Sequence, residues 1–164
     1  LEQAIAIDDR LPEPNLTLAG MYEAGREYDK AIERYRRLHE LAPDNLVVLN
    51  NLAYALAVRK NRVSEAVPLA EKAYNLGGKV PNIADTLGWI YHLAGRNADA
   101  VKLLREAAKG APRNAEIHLH LAIVSEATGD RETARTALQQ ALKIDPSFAK
   151  REEVRGLQSA LGSD

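Results

Sequence analysis

The chain contains no cysteine in its 164 residues, which excludes disulfides, thiolate zinc sites and a thiol nucleophile, yet fits a reducing cytosol and an oxidising periplasm alike. It has no excess of either charge: Lys plus Arg number 22 and Asp plus Glu 23, for a net charge of -1. No long-range field therefore favours a polyanion, and nucleic acid is not an expected partner. No apolar run approaches the roughly 18 residues a membrane span needs. No charged-then-apolar leader opens the chain, so direct membrane insertion is not expected either.

Marks of catalysis are also missing. The sequence holds no Gly-x-x-x-x-Gly-Lys phosphate loop, no Gly-x-Ser-x-Gly elbow, no His-Glu-x-x-His and no calcium-loop spacing. His118 and His120 are two apart on an expected helix, about 200° around it, and cannot share a metal as an i, i+4 pair could. His118 reads as packing and His120 as surface; His39 and His92 lack a nearby ligand set. No catalytic residue, metal or cofactor is expected. Asn15-Leu16-Thr17 matches the glycosylation acceptor pattern, a triplet that also arises by chance. Glu33, Arg34, Arg36, Arg37 and Glu40 read as a solvated helical face with some i, i+4 pairing.

What the sequence does have is a period. Ala4, Leu38, Ala73, Ala107 and Ala141 are separated by 34, 35, 34 and 34 residues. An interval of this size marks a helical solenoid, in which no unit buries its own apolar face and neighbours must stack to make a core. With 46% apolar residues there is material for a sizeable interior. The unit at 81–114 reads Ala84, Leu87, Gly88, Tyr91, Gly95, Ala100, Leu104, Ala107 and Pro112. The next repeats it with His118, Leu121, Ala122, Gly129, Ala134, Leu138, Ala141 and Pro146, and has Ser125 at the aromatic place. The unit at 12–45 gives Leu18, Ala19, Tyr22, Ala31, Tyr35, Leu38 and Pro43, with a turn glycine at Gly25, one place early. The unit at 46–80 gives Leu49, Leu52, Ala53, Leu56, Ala66, Ala70 and Ala73, with one extra residue expected in the turn around Lys60 to Val63, and Gly78 in place of the closing proline.

Each residue type has a physical task. Small Ala53, Gly88 and Ala122 let paired helices approach closely. Gly95 and Gly129 suit a left-handed turn residue. Pro43, Pro112 and Pro146 stop second helices, and Asn97 and Asp130 are expected N-caps. First helices are expected over about 14–24, 46–59, 81–94 and 115–127, and second helices over about 28–41, 64–76, 97–110 and 131–144. Pro68 falls near a helix start, where a missing N–H is least harmful. Ser147 is expected to cap a last helix of about 148–161 carrying Phe148, Val154, Leu157 and Leu161 on one face, covering the fourth unit. Leu1, Ala4 and Ile7 keep the register, so residues 1–11 read as the end of a preceding repeat and the chain as a segment of a longer array.

This pattern resembles the tetratricopeptide repeat, over residues 1 to 146. The resemblance implies an all-α, right-handed solenoid of antiparallel helix pairs: repeats at 12–45, 46–80, 81–114 and 115–148, and a capping helix at 149–161. It also implies a non-catalytic scaffold for protein or peptide, bound on the concave surface that first helices line. Carried over residue by residue, the inward positions are Glu13, Leu16, Gly20 and Glu23; Val47, Asn50, Tyr54 and Ala57; Asn82, Asp85, Trp89 and His92; and Glu116, Leu119, Ile123 and Glu126. Of these, Asn50, Tyr54, Asp85, Trp89, His92, Glu116, Leu119, Ile123 and Glu126 form the expected groove.

That set holds no Lys or Arg, so a clamp for a peptide's terminal carboxylate is disfavoured. An apolar or amphipathic helix, or a basic peptide, fits better. Trp89, the only tryptophan, reads as an exposed anchor at the groove's centre, or else as packing against Tyr54. Two other readings stand beside this one: a self-associating array, and a regulatory module of a larger enzyme. Asn50-Asn51-Leu52-Ala53-Tyr54 and Asp85 to Tyr91 are similar to repeats of bacterial envelope proteins that support export, which favours a periplasmic over a cytosolic setting.

Overall fold

The computed structural model describes residues 12–77 and 79–162, and all are helical or in short connections. The expected end of a preceding repeat, residues 1–11, lies outside them. Contacts divide the chain after Gly78 into two compact units. The first contains α1 (Pro12–Ala24), α2 (Tyr28–Leu41), α3 (Leu46–Tyr54) and α4 (Val63–Gly77). The second contains α5 (Pro81–Leu93), α6 (Asn97–Gly110), α7 (Ala115–Ala127), α8 (Arg131–Ile144) and α9 (Glu152–Gly162).

Within each unit consecutive helices pack as pairs, α1 on α2, α3 on α4, α5 on α6 and α7 on α8. The core is made of the residues that recur: Leu18, Ala19, Ala31 and Leu38 in the first pair, Leu49, Leu52, Ala53, Ala66, Ala70 and Ala73 in the second. Gly88 is a spacer, as expected. A Cβ placed on it would lie 2.9 Å from Leu104 Cγ and 3.3 Å from the Ala100 carbonyl oxygen, so α5 and α6 meet where a side chain is absent.

The inter-helix turns hold two corrections. Gly95 and Gly129 adopt left-handed φ of 78° and 79°, but the equivalent places are taken by Arg26 at 60° and Asn61 at 54°, not by Gly25. Geometry follows register, spaced 35, 34 and 34 from Arg26 to Gly129, whatever side chain is there. The second correction concerns the extra residue of the second repeat. It is absorbed inside the helix, not in the turn: α3 continues as a π-helical turn over Ala55–Arg59. The bonds that close each turn show this. Glu27, Arg96 and Asp130 N–H groups donate to the carbonyls of Tyr22, Tyr91 and Ser125, five residues back, whereas Arg62 N–H donates to Leu56, six back. A widened turn is how a helix takes in one residue without losing its ladder.

Capping also departs from expectation. Asp130 caps α8, its carboxylate accepting from Thr133 N–H at 3.1 Å. Asn97 is the first residue of α6 and not its cap; Arg96 holds the cap position, and its side chain makes no capping bond. Asn45 and Asn114 cap α3 and α7, each accepting from two backbone N–H groups. After α8, Asp145 rather than Ser147 is the cap, accepting from Ser147 N–H at 2.9 Å. A 3-10 turn over Pro146–Lys150 follows, and Arg151 is extended before α9 begins. Phe148, Val154, Leu157 and Leu161 are all buried, with α9 packed on α7 and α8. Arg131 and Arg135 of α8 donate to the carbonyls of Ala160 and Leu161 at the end of α9, filling acceptors the helix leaves open.

Candidate functional site

In the second unit, α5 and α7 pack side by side. Asp85, Trp89 and His92 occupy i, i+4 and i+7 of α5; Glu116, His120 and Ile123 occupy the same spacing on α7. The side chains interlock. The His120 ring stacks on the Trp89 indole with centroids 4.2 Å apart and planes 17° from parallel. His92 meets the same indole at 5.1 Å, tilted by 37°. His120 Nδ1 is 2.8 Å from Asp85 Oδ1, and its Nε2 is 3.8 Å from Glu116 Oε1. Glu116 in turn accepts from Arg151 Nη1 through both oxygens, at 2.9 and 3.1 Å, and the Arg151 guanidinium lies 3.5 Å from the Phe148 ring centroid. His92 Nδ1 is 2.8 Å from Asn97 Oδ1. An amide oxygen only accepts, so the hydrogen sits on Nδ1, which leaves Nε2 as the acceptor of the neutral ring.

Four expectations change here. Leu119 does not line a surface: it is 1% exposed. Its helix, α7, packs against α5, α6, α8 and α9, and a helix with neighbours on several sides leaves few apolar positions open. His120 is likewise buried, 7% exposed, and belongs to the site rather than to the surface. Trp89 is half-buried, not freely exposed, because histidines flank it. Asp85 and Glu116 are engaged by His120 and Arg151, so the acid available to a ligand on this face is Glu126, half-buried beside half-buried Ile123. His118, as expected, packs: it is buried, with Nε2 3.1 Å from the Pro112 carbonyl oxygen.

In the first unit, Asn50 and Tyr54 lie half-buried on α3. Asn50 Nδ2 donates to Asn51 Oδ1 at 3.5 Å, while its own Oδ1 is buried with no partner among the described residues. The π turn rotates the following residues. Ala57 is thereby 3% exposed, and half-buried Val58, three residues before the left-handed turn as His92 is, takes the outward place. The same turn delivers Arg59, whose guanidinium lies 5.2 Å from the Tyr28 ring and 5.4 Å from the Tyr54 ring. Arg59 also attracts Glu23. Burial nonetheless pushes the Glu23 carboxyl up, more than Arg59 pulls it down. Tyr35 is raised too, by burial first and then by the Glu23 charge, against a hydrogen bond from Asn51.

The acceptor triplet at Asn15 is closed off, since Asn15 is fully buried. On the charged face, Arg36 pairs with Glu65 of α4 and Arg37 with Glu40 at i+3. Among the described residues no group of three or more His, Cys, Asp or Glu is placed to hold a metal, and no helix is long and apolar enough to cross a membrane.

Two family models described as tetratricopeptide repeat match residues 20–81 and 91–161. The chain belongs to the tetratricopeptide-repeat family. A TPR repeat-containing protein of Pseudomonas aeruginosa, PA4667, is 43% identical over 79 residues, which is 48% of this chain and 13% of that relative's length. Among solved structures, the thermophilic TPR protein TTC0263 of Thermus thermophilus superposes with a TM-score of 0.81 at 21% identity, covering 93% of this chain and 84% of that one. PilW, described as a widely conserved type IV pilus biogenesis factor, gives 0.77 at 19% identity, with 99% and 82% covered. These likenesses show an all-α tetratricopeptide solenoid fold. Family membership makes the chain a protein–protein interaction scaffold, of a kind that is generally non-catalytic.

Proposed function

We propose that the chain binds a peptide or an amphipathic helix on its first-helix faces, and that the α5–α7 face centred on Trp89 is the main contact. The supporting observation is Trp89 itself: a half-buried indole, held by two flanking rings, whose N–H makes no hydrogen bond among the described residues. A rigid aromatic with an unused donor is the chemistry of an interface anchor. Around it, Ile123 offers apolar contact, His92 Nε2 an acceptor and Glu126 a negative charge, which together fit an apolar ligand with a basic residue at one end.

The first unit has a candidate face of its own at Asn50 and Tyr54. Buried, unpartnered oxygens at Asn50 and Glu23 there suit a ligand that brings N–H donors. No cation on this face of α5 or α7 awaits a terminal carboxylate, and Arg151 is already engaged by Glu116. A bacterial envelope or export setting is part of this proposal, carried by the resemblance of the Asn50 and Asp85 stretches; fractionation of cells expressing the full-length protein checks it.

The binding reading is tested by selecting peptides from a random dodecapeptide display library on the wild type, with counter-selection on Trp89→Ala. Enrichment of a shared apolar pattern supports it. Peptides that bind both proteins equally contradict it, as does mass that rises with concentration and is abolished by the same substitution, which would make the face a contact between copies.

A further inference from the structure

We propose that His120 is the positioning residue for Trp89, and that protonation of its ring changes how the indole is presented on the α5–α7 face. The inference rests on that face being the ligand face.

His120 has three engagements, and each constrains the next. The carboxylate oxygen of Asp85 can only accept, so His120 Nδ1, 2.8 Å away, carries the hydrogen. The titrating nitrogen is therefore Nε2. It points toward Glu116 Oε1 at 3.8 Å, too far for a hydrogen bond. In the neutral ring a lone pair faces a carboxylate; in the charged ring an N–H does. Protonation thus converts an opposed pair into a donor and an acceptor and draws the ring toward Glu116, which Arg151 holds by both oxygens. Because the same ring is stacked on Trp89 at 4.2 Å, its charge and its displacement both reach the indole, whose π face attracts a cation.

The ionisable groups around His120 are Asp85 and, across the indole, His92 from α5; Glu116 from its own helix; and Arg151 behind Glu116. From α6, α8 and α9 no ionisable side chain is bonded to it among the described residues. His92 has its Nδ1 tied to Asn97 and meets Trp89 at an angle, so it serves as the control.

Trp89 is the only tryptophan, so intrinsic emission and the single indole N–H resonance report it alone. Both are followed in the whole chain from about pH 5 to 8, the range in which imidazoles titrate, for wild type, His120→Gln, His120→Phe and His92→Gln, with circular dichroism as the folding check. The expected result is a sigmoidal change in wild-type emission that is lost in His120→Gln and in His120→Phe, which keeps the stack but cannot titrate, and kept in His92→Gln. In the wild type the indole resonance must move with the same midpoint as the His120 ring signals, a measurement that needs no variant to fold. A flat wild-type profile, or a titration that survives in a folded His120 variant with undiminished amplitude, overturns the proposal. All of this is read on the free protein, so a failed peptide selection and a failed titration are told apart.

Discussion

Arg151 reaches back from the segment before α9 to grip Glu116 on α7 through both carboxylate oxygens, at 2.9 and 3.1 Å, while its guanidinium covers the Phe148 ring. One side chain thus ties the terminal helix to the helix that carries His120. The pair is partly exposed, so the ion pair is worth about 0.2–1 kcal/mol and the ring contact about 0.5–1 kcal/mol. Arg151→Ala is expected to lower unfolding stability by about 1–2 kcal/mol and to increase hydrogen exchange in α9 before the rest of the second unit. Unchanged exchange in α9 would show that its apolar residues alone hold it.

Two helical glycines should respond oppositely to the same substitution. At Gly20, in the exposed middle of α1, an added Cβ meets nothing within 4 Å, so Gly20→Ala is expected to stabilise by about 0.5–1 kcal/mol. At Gly88 the added carbon would press on Leu104 and the α6 backbone, and overpacking of about 1–3 kcal/mol exceeds the helix gain. Denaturant midpoints of the two variants decide it; a stabilised Gly88→Ala would mean that α5 and α6 separate freely.

The left-handed turn at Arg26 carries a Cβ where the later repeats have glycine. Arg26→Gly is expected to stabilise the first unit by up to about 1 kcal/mol, and Asn61→Gly by less, since asparagine tolerates this region. Gly95→Ala is expected to cost about 1–2 kcal/mol. Thermal melts of the three variants check the order.

Glu23 gives the first unit a pH dependence of stated sign. Its folded carboxyl is raised above the ordinary value of 4.5, chiefly by burial, so between that value and the raised one the native state binds more protons than the unfolded chain. Stability therefore falls as pH rises through that window and stays lowered at neutral pH. Glu23→Gln is expected to raise the denaturant midpoint at pH 7, with the difference shrinking below pH 4.5. Arg59 is not left bare in this variant, as it keeps the Tyr28 and Tyr54 rings. A variant that is less stable than wild type at pH 7 would show that the Arg59 attraction outweighs burial.

Most of the fold was legible in the sequence because repetition multiplies weak signals. Small residues at one period, prolines after second helices and glycines after two first helices agreed on where each helix runs, and eight helices form close to those places. What escaped was local to one repeat. An extra residue between Leu52 and Asn61 can sit in a turn or in a helix, and spacing does not distinguish them; the buried run Ala55, Leu56, Ala57 keeps it in the helix. The register transfer also assumes that each first helix has one open face. It fails for Leu119, buried in a helix that packs against four others, whereas Trp89, Ile123 and Glu126 are half-buried. His120 was missed for the same reason: on a helix with neighbours on several sides, two histidines about 200° apart are both buried. Asn45 and Asn114 had a readable signal, each standing immediately before an apolar helix start.

The claim that Trp89 anchors a ligand is tested most directly by calorimetric titration of a display-selected peptide into wild type and into Trp89→Ala. The account predicts a loss of at least about 2 kcal/mol, roughly 30-fold in Kd, in the variant, with a shift of Trp89 emission when the wild type binds. Equal affinity for the two folded proteins, with wild-type emission unmoved, would contradict it.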